Sequence, residues 1–224
     1  MTPAELVARH KHILLDFDGP VCAVFGGELS DRAAADELKK LVGPDMPDDV
    51  AAAHDPFDVL RYANKIDTAT AQTVESRFRE LELDAVTTAP ETAGAKAAIK
   101  SLVAAGHVIA IVSNNSAAAV RRYVDIHGLS GLIDYVNARE AADVELLKPA
   151  PFLLRQAMET LCAPSATCVM IGDSEADVDA ARAAGTSVVG YANKPGKRER
   201  LQRRGADAVT DQLSELALAW PAPQ

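Results

Sequence analysis

The sequence predicts an α/β protein, a doubly wound parallel sheet interrupted after its first strand by a small α-helical insertion. Three observations predict it. The apolar run His12-Ile13-Leu14-Leu15 stops abruptly at Asp16-Phe17-Asp18-Gly19-Pro20, which reads as a buried strand ending in a turn. From Pro90 onward helical and strand patterns alternate, and that alternation calls for parallel strands with helices on both faces. Between the two, from about Glu28 to Val86, the patterns are helical with no strand among them. The expectation is a Rossmann-like core of residues 1–23 and 89–224 carrying a helical cap domain of residues 24–88.

The cap is read as helices over Asp31 to Val42, closed by Gly43-Pro44; over Asp48 to Ile66, interrupted at Asp55-Pro56; and over Thr68 to Leu83. Its hinges are expected at Val21 to Gly27 and Val86 to Pro90, where Gly26-Gly27 and Pro90 break the pattern. The core continues with helix Glu91 to Ala105, strand His107 to Ser113, helix Ala117 to His127, a strand near Tyr135 to Asn137, and helix Pro151 to Leu161. Next come strand Thr167 to Ile171, helix Glu175 to Ala184, strand Ser187 to Tyr191, helix Gly196 to Arg204, strand Ala208 to Val209 and helix Leu213 to Ala219. The remaining Trp220 to Gln224 reads as a frayed tail.

Of the 224 residues 48% are hydrophobic and 25% charged, enough to build a core. The formal charge of −9, with basic runs only at Lys197-Arg198-Glu199-Arg200 and Arg203-Arg204, disfavours a nucleic acid or an anionic membrane as partner. Cys22, Cys162 and Cys168 show neither a C-x-x-C motif nor an even framework, which fits a reducing cytoplasm. No export signal or spanning stretch is read, so a cytoplasmic monomer or homodimer is expected. The five histidines lack metal-ligand spacing and are assigned no chemistry.

Chemistry is expected at the strand ends, because open parallel sheets bind ligands outside the carboxyl ends of their strands. Asp16 and Asp18, two apart in extended backbone, share one face. Two carboxylates about 4 Å apart repel by about 4 kcal/mol at an effective dielectric of 20, so they call for a metal, a proton or a basic partner. Ser113-Asn114-Asn115-Ser116 offers a hydroxyl and free N–H groups ahead of a helix, a pattern that taken alone is a helix cap. Lys148 precedes Pro149 and alone is a solvated side chain. Ser174 and Asp177 have capping-box spacing. Asp173, with no capping role, suits a Mg²⁺ ligand beside Asp16. All four clusters occur in order, each where a parallel sheet converges its strand ends.

In that combination the chain resembles the haloacid dehalogenase-like superfamily, in its phosphohydrolase branch and close to phosphoglycolate phosphatases. Asp16-Phe17-Asp18-Gly19 is similar to the first motif, Ser113 with Asn114 to the second, Lys148 to the third, and Gly172-Asp173 with Asp177 to the fourth; Pro20 stands where Thr is commoner. The resemblance implies a Mg²⁺-dependent phosphatase acting on a small phosphorylated metabolite. It makes Asp16 the nucleophile that forms an aspartyl-phosphate and Asp18 the general acid and base. It further implies Mg²⁺ held by Asp16, the Asp18 backbone carbonyl and Asp173, with Asp177 orienting a metal-bound water or Lys148. Ser113 and the Asn114 N–H bind phosphate oxygens, and Lys148 offsets charge on Asp16 and phosphate.

Alternatives on the same scaffold are a phosphomutase, a haloacid dehalogenase, against which Asp18 argues, and a catalytically silent binding module. Within the cap, Arg61 is a candidate for a substrate carboxylate and His54 or Tyr62 for hydroxyls. The competing reading makes Arg61 a surface partner of Asp58 at helical spacing.

Overall fold

A computed structural model describes residues 1–216. The chain opens with helix α1 (Pro3–Ala8), which the sequence reading above leaves unassigned. It is set by a capping box in which Thr2 accepts from the Glu5 N–H and Glu5 accepts from the Thr2 N–H, with Pro3 at the first helical position. Strand β1 (His12–Leu15) follows, then four helices: α2 (Asp31–Val42), α3 (Asp48–Ala51), α4 (Pro56–Ile66) and α5 (Thr68–Ala85). Ser30, Asp55 and Asp67 cap α2, α4 and α5 through their side chains.

The alternating part comprises α6 (Ala95–Ala104), β2 (Val108–Ser116), α7 (Ala117–Ile126), β3 (Tyr135–Arg139), α8 (Phe152–Thr160), β4 (Cys168–Gly172), α9 (Glu175–Ala184), β5 (Ser187–Tyr191), α10 (Lys197–Arg204) and β6 (Ala208–Thr210). The six strands form one parallel sheet in the order β3-β2-β1-β4-β5-β6, a Rossmann-like α/β fold. Its two faces sort the alternate residues of each strand. Ile13, Leu15, Ile109, Ile111 and Val169 pack on the side of α6 and α7, continuous with Leu38, Leu60, Val74 and Phe78 from α2, α4 and α5. Leu14, Ala110, Val112, Met170 and Val188 pack on the side of α8, α9 and α10.

Two expected elements differ. The helix read from Glu91 begins at Ala95, because Glu91 pairs in a bridge with Cys22 and Gly94 sits at φ 80. The helix read over Leu213 to Ala219 is a 3-10 turn at Leu213–Leu216; its remainder and the tail Trp220 to Gln224 lie outside the described residues. The segments leading into α2 and out of α5 run together, with Ala23 N–H donating to the Pro90 carbonyl at 3.1 Å and Thr92 N–H to the Val21 carbonyl at 3.0 Å. Among the described residues no helix is long and apolar enough to cross a membrane.

Candidate active site

The strand order reverses between β1 and β4, and the acids stand at that switch point. Asp16 directly follows β1; its N–H continues the ladder to the Ile171 carbonyl at 2.8 Å, and its Oδ1 accepts from the Phe17 N–H at 2.7 Å. Asp173 follows β4, and Asp177 lies in the first turn of α9. Carboxylate oxygens of Asp16, Asp173 and Asp177 lie within 4.8 Å of one another. Two glycines make this crowding possible. A Cβ at Gly19, whose φ is 107, would stand 2.4 Å from the Asp173 carboxyl carbon, and one at Gly172 would stand 2.3 Å from that of Asp177.

Lys148 supplies the cation that such a cluster requires. Its buried ammonium lies 2.7 Å from Asp16 Oδ1 and 2.6 Å from Asp177 Oδ1, and it donates to the Val112 carbonyl at 3.0 Å. The Val112 contact has hydrogen-bond geometry, whereas the two carboxylate contacts are close ion pairs, and Asp177 Oδ1 accepts no hydrogen bond among the described residues. Asp177 Oδ2 is occupied by Ser174, accepting from the N–H at 3.0 Å and the hydroxyl at 2.6 Å. The capping box and the lysine contact are therefore made by the same carboxylate, which holds Lys148 in place.

Burial and the neighbouring charge of Asp177 push the Asp16 carboxyl well above its ordinary range, against the pull of Lys148. For Asp177 burial also opposes charge, but Lys148 and the Ser174 hydrogen bonds outweigh it and hold the carboxyl below its usual range. Burial alone would lower Lys148, yet Asp16 and Asp177 drive it upward, so it stays charged. Asp18 remains partly open to solvent. The protein packed around its carboxyl nonetheless raises it to about 6, against the hydrogen bond accepted from the Val24 N–H at 2.9 Å and with help from Asp173.

Ser113 is fully buried where the regular pairing of β2 stops, three residues before the strand's end at Ser116; its hydroxyl donates to Asn115 Oδ1 at 3.1 Å and accepts from the Asn115 N–H at 3.2 Å. The Asn114 side chain clasps the backbone of Lys148, Nδ2 donating to its carbonyl at 3.0 Å and Oδ1 accepting from its N–H at 2.8 Å. The second and third motifs are thereby tied to each other. Arg61 pairs with Asp58 at 2.9 Å, both about half exposed, beside Asn64, Lys65 and Pro149. His54 pairs with Arg32.

The structure adds groups that the sequence reading passes over. Lys197, noted there only as part of a basic run, pairs with Asp173 Oδ2, which also accepts from Asn193 Nδ2 at 2.9 Å. Both come from the segment after β5, the neighbour of β4 in the sheet. Cys22 is buried, and its burial pushes the thiol far up.

Acids gathered at the switch point of a parallel sheet, with a buried lysine among them, define an α/β enzyme of the Rossmann-like class. A family model described as haloacid dehalogenase-like hydrolase matches residues 29–191. The chain belongs to that family and is a hydrolase.

Among curated relatives, a plasmid-borne phosphoglycolate phosphatase of Cupriavidus necator is 39% identical over 58% of this chain and 55% of its own length. The match thus spans about half of that relative. A phosphoglycolate phosphatase of Rhodospirillum rubrum is 28% identical over 95% of this chain and 92% of its own. A solved structure of a predicted phosphatase from Clostridium acetobutylicum shares the fold with a TM-score of 0.74 at 21% identity, covering 93% of this chain and 96% of that one. CbbY from Rhodobacter sphaeroides, solved in complex with phosphate, does so at 0.68 and 19%, covering 92% and 96%.

Proposed function

We propose that this chain is a divalent-metal-dependent phosphatase that hydrolyses a small organic phosphate monoester through an aspartyl-phosphate on Asp16. The observation that carries the reading is Lys148, buried between Asp16 and Asp177, whose carboxylate oxygens cluster with one of Asp173. An all-oxygen set of this kind suits a hard cation such as Mg²⁺. Asp16, the Asp18 backbone carbonyl and Asp173 would hold it. When bound, the cation supplies positive charge to the phosphoryl oxygens.

The chain's own groups do the rest. A carboxylate oxygen of Asp16 attacks phosphorus as the bond to the leaving oxygen breaks, and Asp18 gives its proton to that oxygen. Asp18, now a carboxylate, takes a proton from water, whose oxygen attacks phosphorus and releases phosphate from Asp16. Lys148 offsets charge on Asp16 and on the phosphoryl group, while Ser113 and the Asn114 N–H bind its oxygens. Asp177 orients Lys148.

Residues 24–88 act as a cap that excludes water and limits substrate size. The phosphoglycolate phosphatases among the relatives support a small, acid-bearing ester. Arg61 contacts Asp58 through Nη1 alone, which leaves its other donors for such a carboxylate.

The test is hydrolysis of a panel of phosphorylated acids, sugars and nucleotides with and without chelator, by wild type, Asp16→Asn and Arg61→Ala. Turnover that survives chelator or Asp16→Asn overturns the mechanism. A loss in Arg61→Ala confined to acid-bearing esters assigns Arg61 to substrate; unchanged kcat/KM removes it.

A further inference from the structure

Arg139 ends β3, yet its side chain is buried among the helices of residues 24–88. It heads the largest fully buried side chains among the described residues. Its guanidinium donates to Glu75 at 2.5 Å and Glu82 at 2.5 Å, both on α5, and lies 4.6 Å from the ring centroid of Phe78 and 6.0 Å from that of Phe57. Its third nitrogen, Nε, donates to the Asn114 carbonyl at 3.1 Å. Glu82 in turn accepts from Asn115 Nδ2 at 3.0 Å and from the Ser116 N–H at 3.0 Å.

These contacts fall where the sheet itself gives least support. The pairing of β2 with β3 slips between Ser113 and Ser116, so the intervening backbone leaves the regular ladder. Arg139 holds the carbonyl on one side of that irregularity, and Glu82 holds the amide on the other. Asn115, gripped by Glu82, is the residue to which the Ser113 hydroxyl donates. Stability alone gives no reason for such a cluster, since a buried ion network can often be replaced by apolar packing without loss. An apolar side chain could hold neither the Asn114 carbonyl nor the Ser116 N–H.

We propose that Arg139 and Glu82 are positioning residues that set the geometry of the Ser113–Ser116 loop and tie it to α5, coupling the placement of the cap helices to phosphate binding. The phosphate part of this rests on the reading above that the loop receives phosphate.

The test compares Arg139→Lys, Glu82→Gln and Glu75→Gln, measuring KM and kcat, inhibition by inorganic phosphate, and hydrogen exchange of the amides at 115 and 116. Lys keeps the charge but lacks the planar fork whose three separate nitrogens reach the two glutamates and the carbonyl. Glu82→Gln keeps the shape and carries the test if Arg139→Lys fails to fold. Glu75→Gln is the control, because Glu75 touches Arg139 but makes no contact with the loop among its hydrogen bonds.

In Arg139→Lys and Glu82→Gln, KM and the phosphate inhibition constant should rise about tenfold with kcat changed less than about threefold, and the two amides should exchange about tenfold faster. Glu75→Gln should lower Tm while leaving these readouts within about twofold. Equal effects in Glu75→Gln and Glu82→Gln, or unchanged exchange in a folded Arg139→Lys, overturn the proposal. The exchange arm needs no turnover. A wild type that hydrolyses no phosphate ester overturns the phosphatase reading by itself, while faster exchange in Arg139→Lys still supports the tie between loop and α5.

Discussion

Replacing Lys148 by Met tests how the acid cluster is kept charged. Met preserves much of the volume and the apolar stem but removes the cation that Asp16 and Asp177 share. At 4.8 Å, the outer limit of the cluster, two unit charges of like sign repel by about 3.5 kcal/mol at an effective dielectric of 20. That repulsion is equivalent to about 2.5 pH units, too little by itself to protonate a carboxylate fully at neutral pH, but with the Lys148 charge also lost from Asp16 and the phosphoryl group kcat should fall by at least about 100-fold even at saturating divalent metal.

The same imbalance sets a stability signature. In the variant the folded state binds a proton that the unfolded chain releases at lower pH, so stability is greatest in acid and is lost as pH rises through the raised folded pKa. In chelator, the Tm of Lys148→Met should therefore climb on going from about pH 8 to pH 5. About 2 kcal/mol of the repulsion is relieved between those pH values, so at about 2–4 °C per kcal/mol for a chain of this size the climb relative to wild type should approach about 4–8 °C. The assays are scanning calorimetry across that range and steady-state hydrolysis of an aryl phosphate. Activity within tenfold of wild type, together with a pH dependence of Tm parallel to wild type, would refute the reasoning.

Three further outcomes follow from the geometry. Gly172→Ala places a Cβ 2.5 Å from the Asp177 Cβ, which no rotamer change relieves; shifting α9 should cost about 1–3 kcal/mol by overpacking, seen as a lower denaturation midpoint, and should cut activity by displacing Lys148. With Asp18 raised to about 6, the rate on alkyl phosphates, whose leaving group needs a proton, should fall above that pH. Aryl phosphates should show little of this limb, and a common profile for both would remove Asp18 from the acid role. Of the three thiols, Cys162 is exposed whereas Cys22 and Cys168 are buried and pushed upward. A thiol reagent at neutral pH should count one cysteine in the folded protein and three after denaturation.

Much of this protein could be read from its residue order. The apolar run ending at Asp16-Phe17-Asp18-Gly19 and the alternation after Pro90 give the parallel sheet, because burial on both faces leaves a continuous apolar strand and polar residues collect where it ends. The Asp48 to Ile66 stretch broke at Asp55-Pro56 as read, since Asp55 caps α4 and Pro56 starts it. Local chemistry of this kind acts over a few residues and is therefore visible in sequence. Even α1 had such a signal, in Thr2-Pro3-Ala4-Glu5.

Other features depended on which strands become neighbours. Asn114 and Lys148 are 34 residues apart, and Arg139 and Glu75 are 64 apart. Lys197 meets Asp173 because β5 lies beside β4. Nothing in a basic run near the end of the chain marks one lysine as the partner of an acid in the fourth motif. Conversely, Gly19 reads as a turn residue, while the reason it must lack a side chain is the Asp173 carboxylate contributed from the end of β4. Contacts made by side chains across strands depend on register and layer, and the tertiary structure alone decides those.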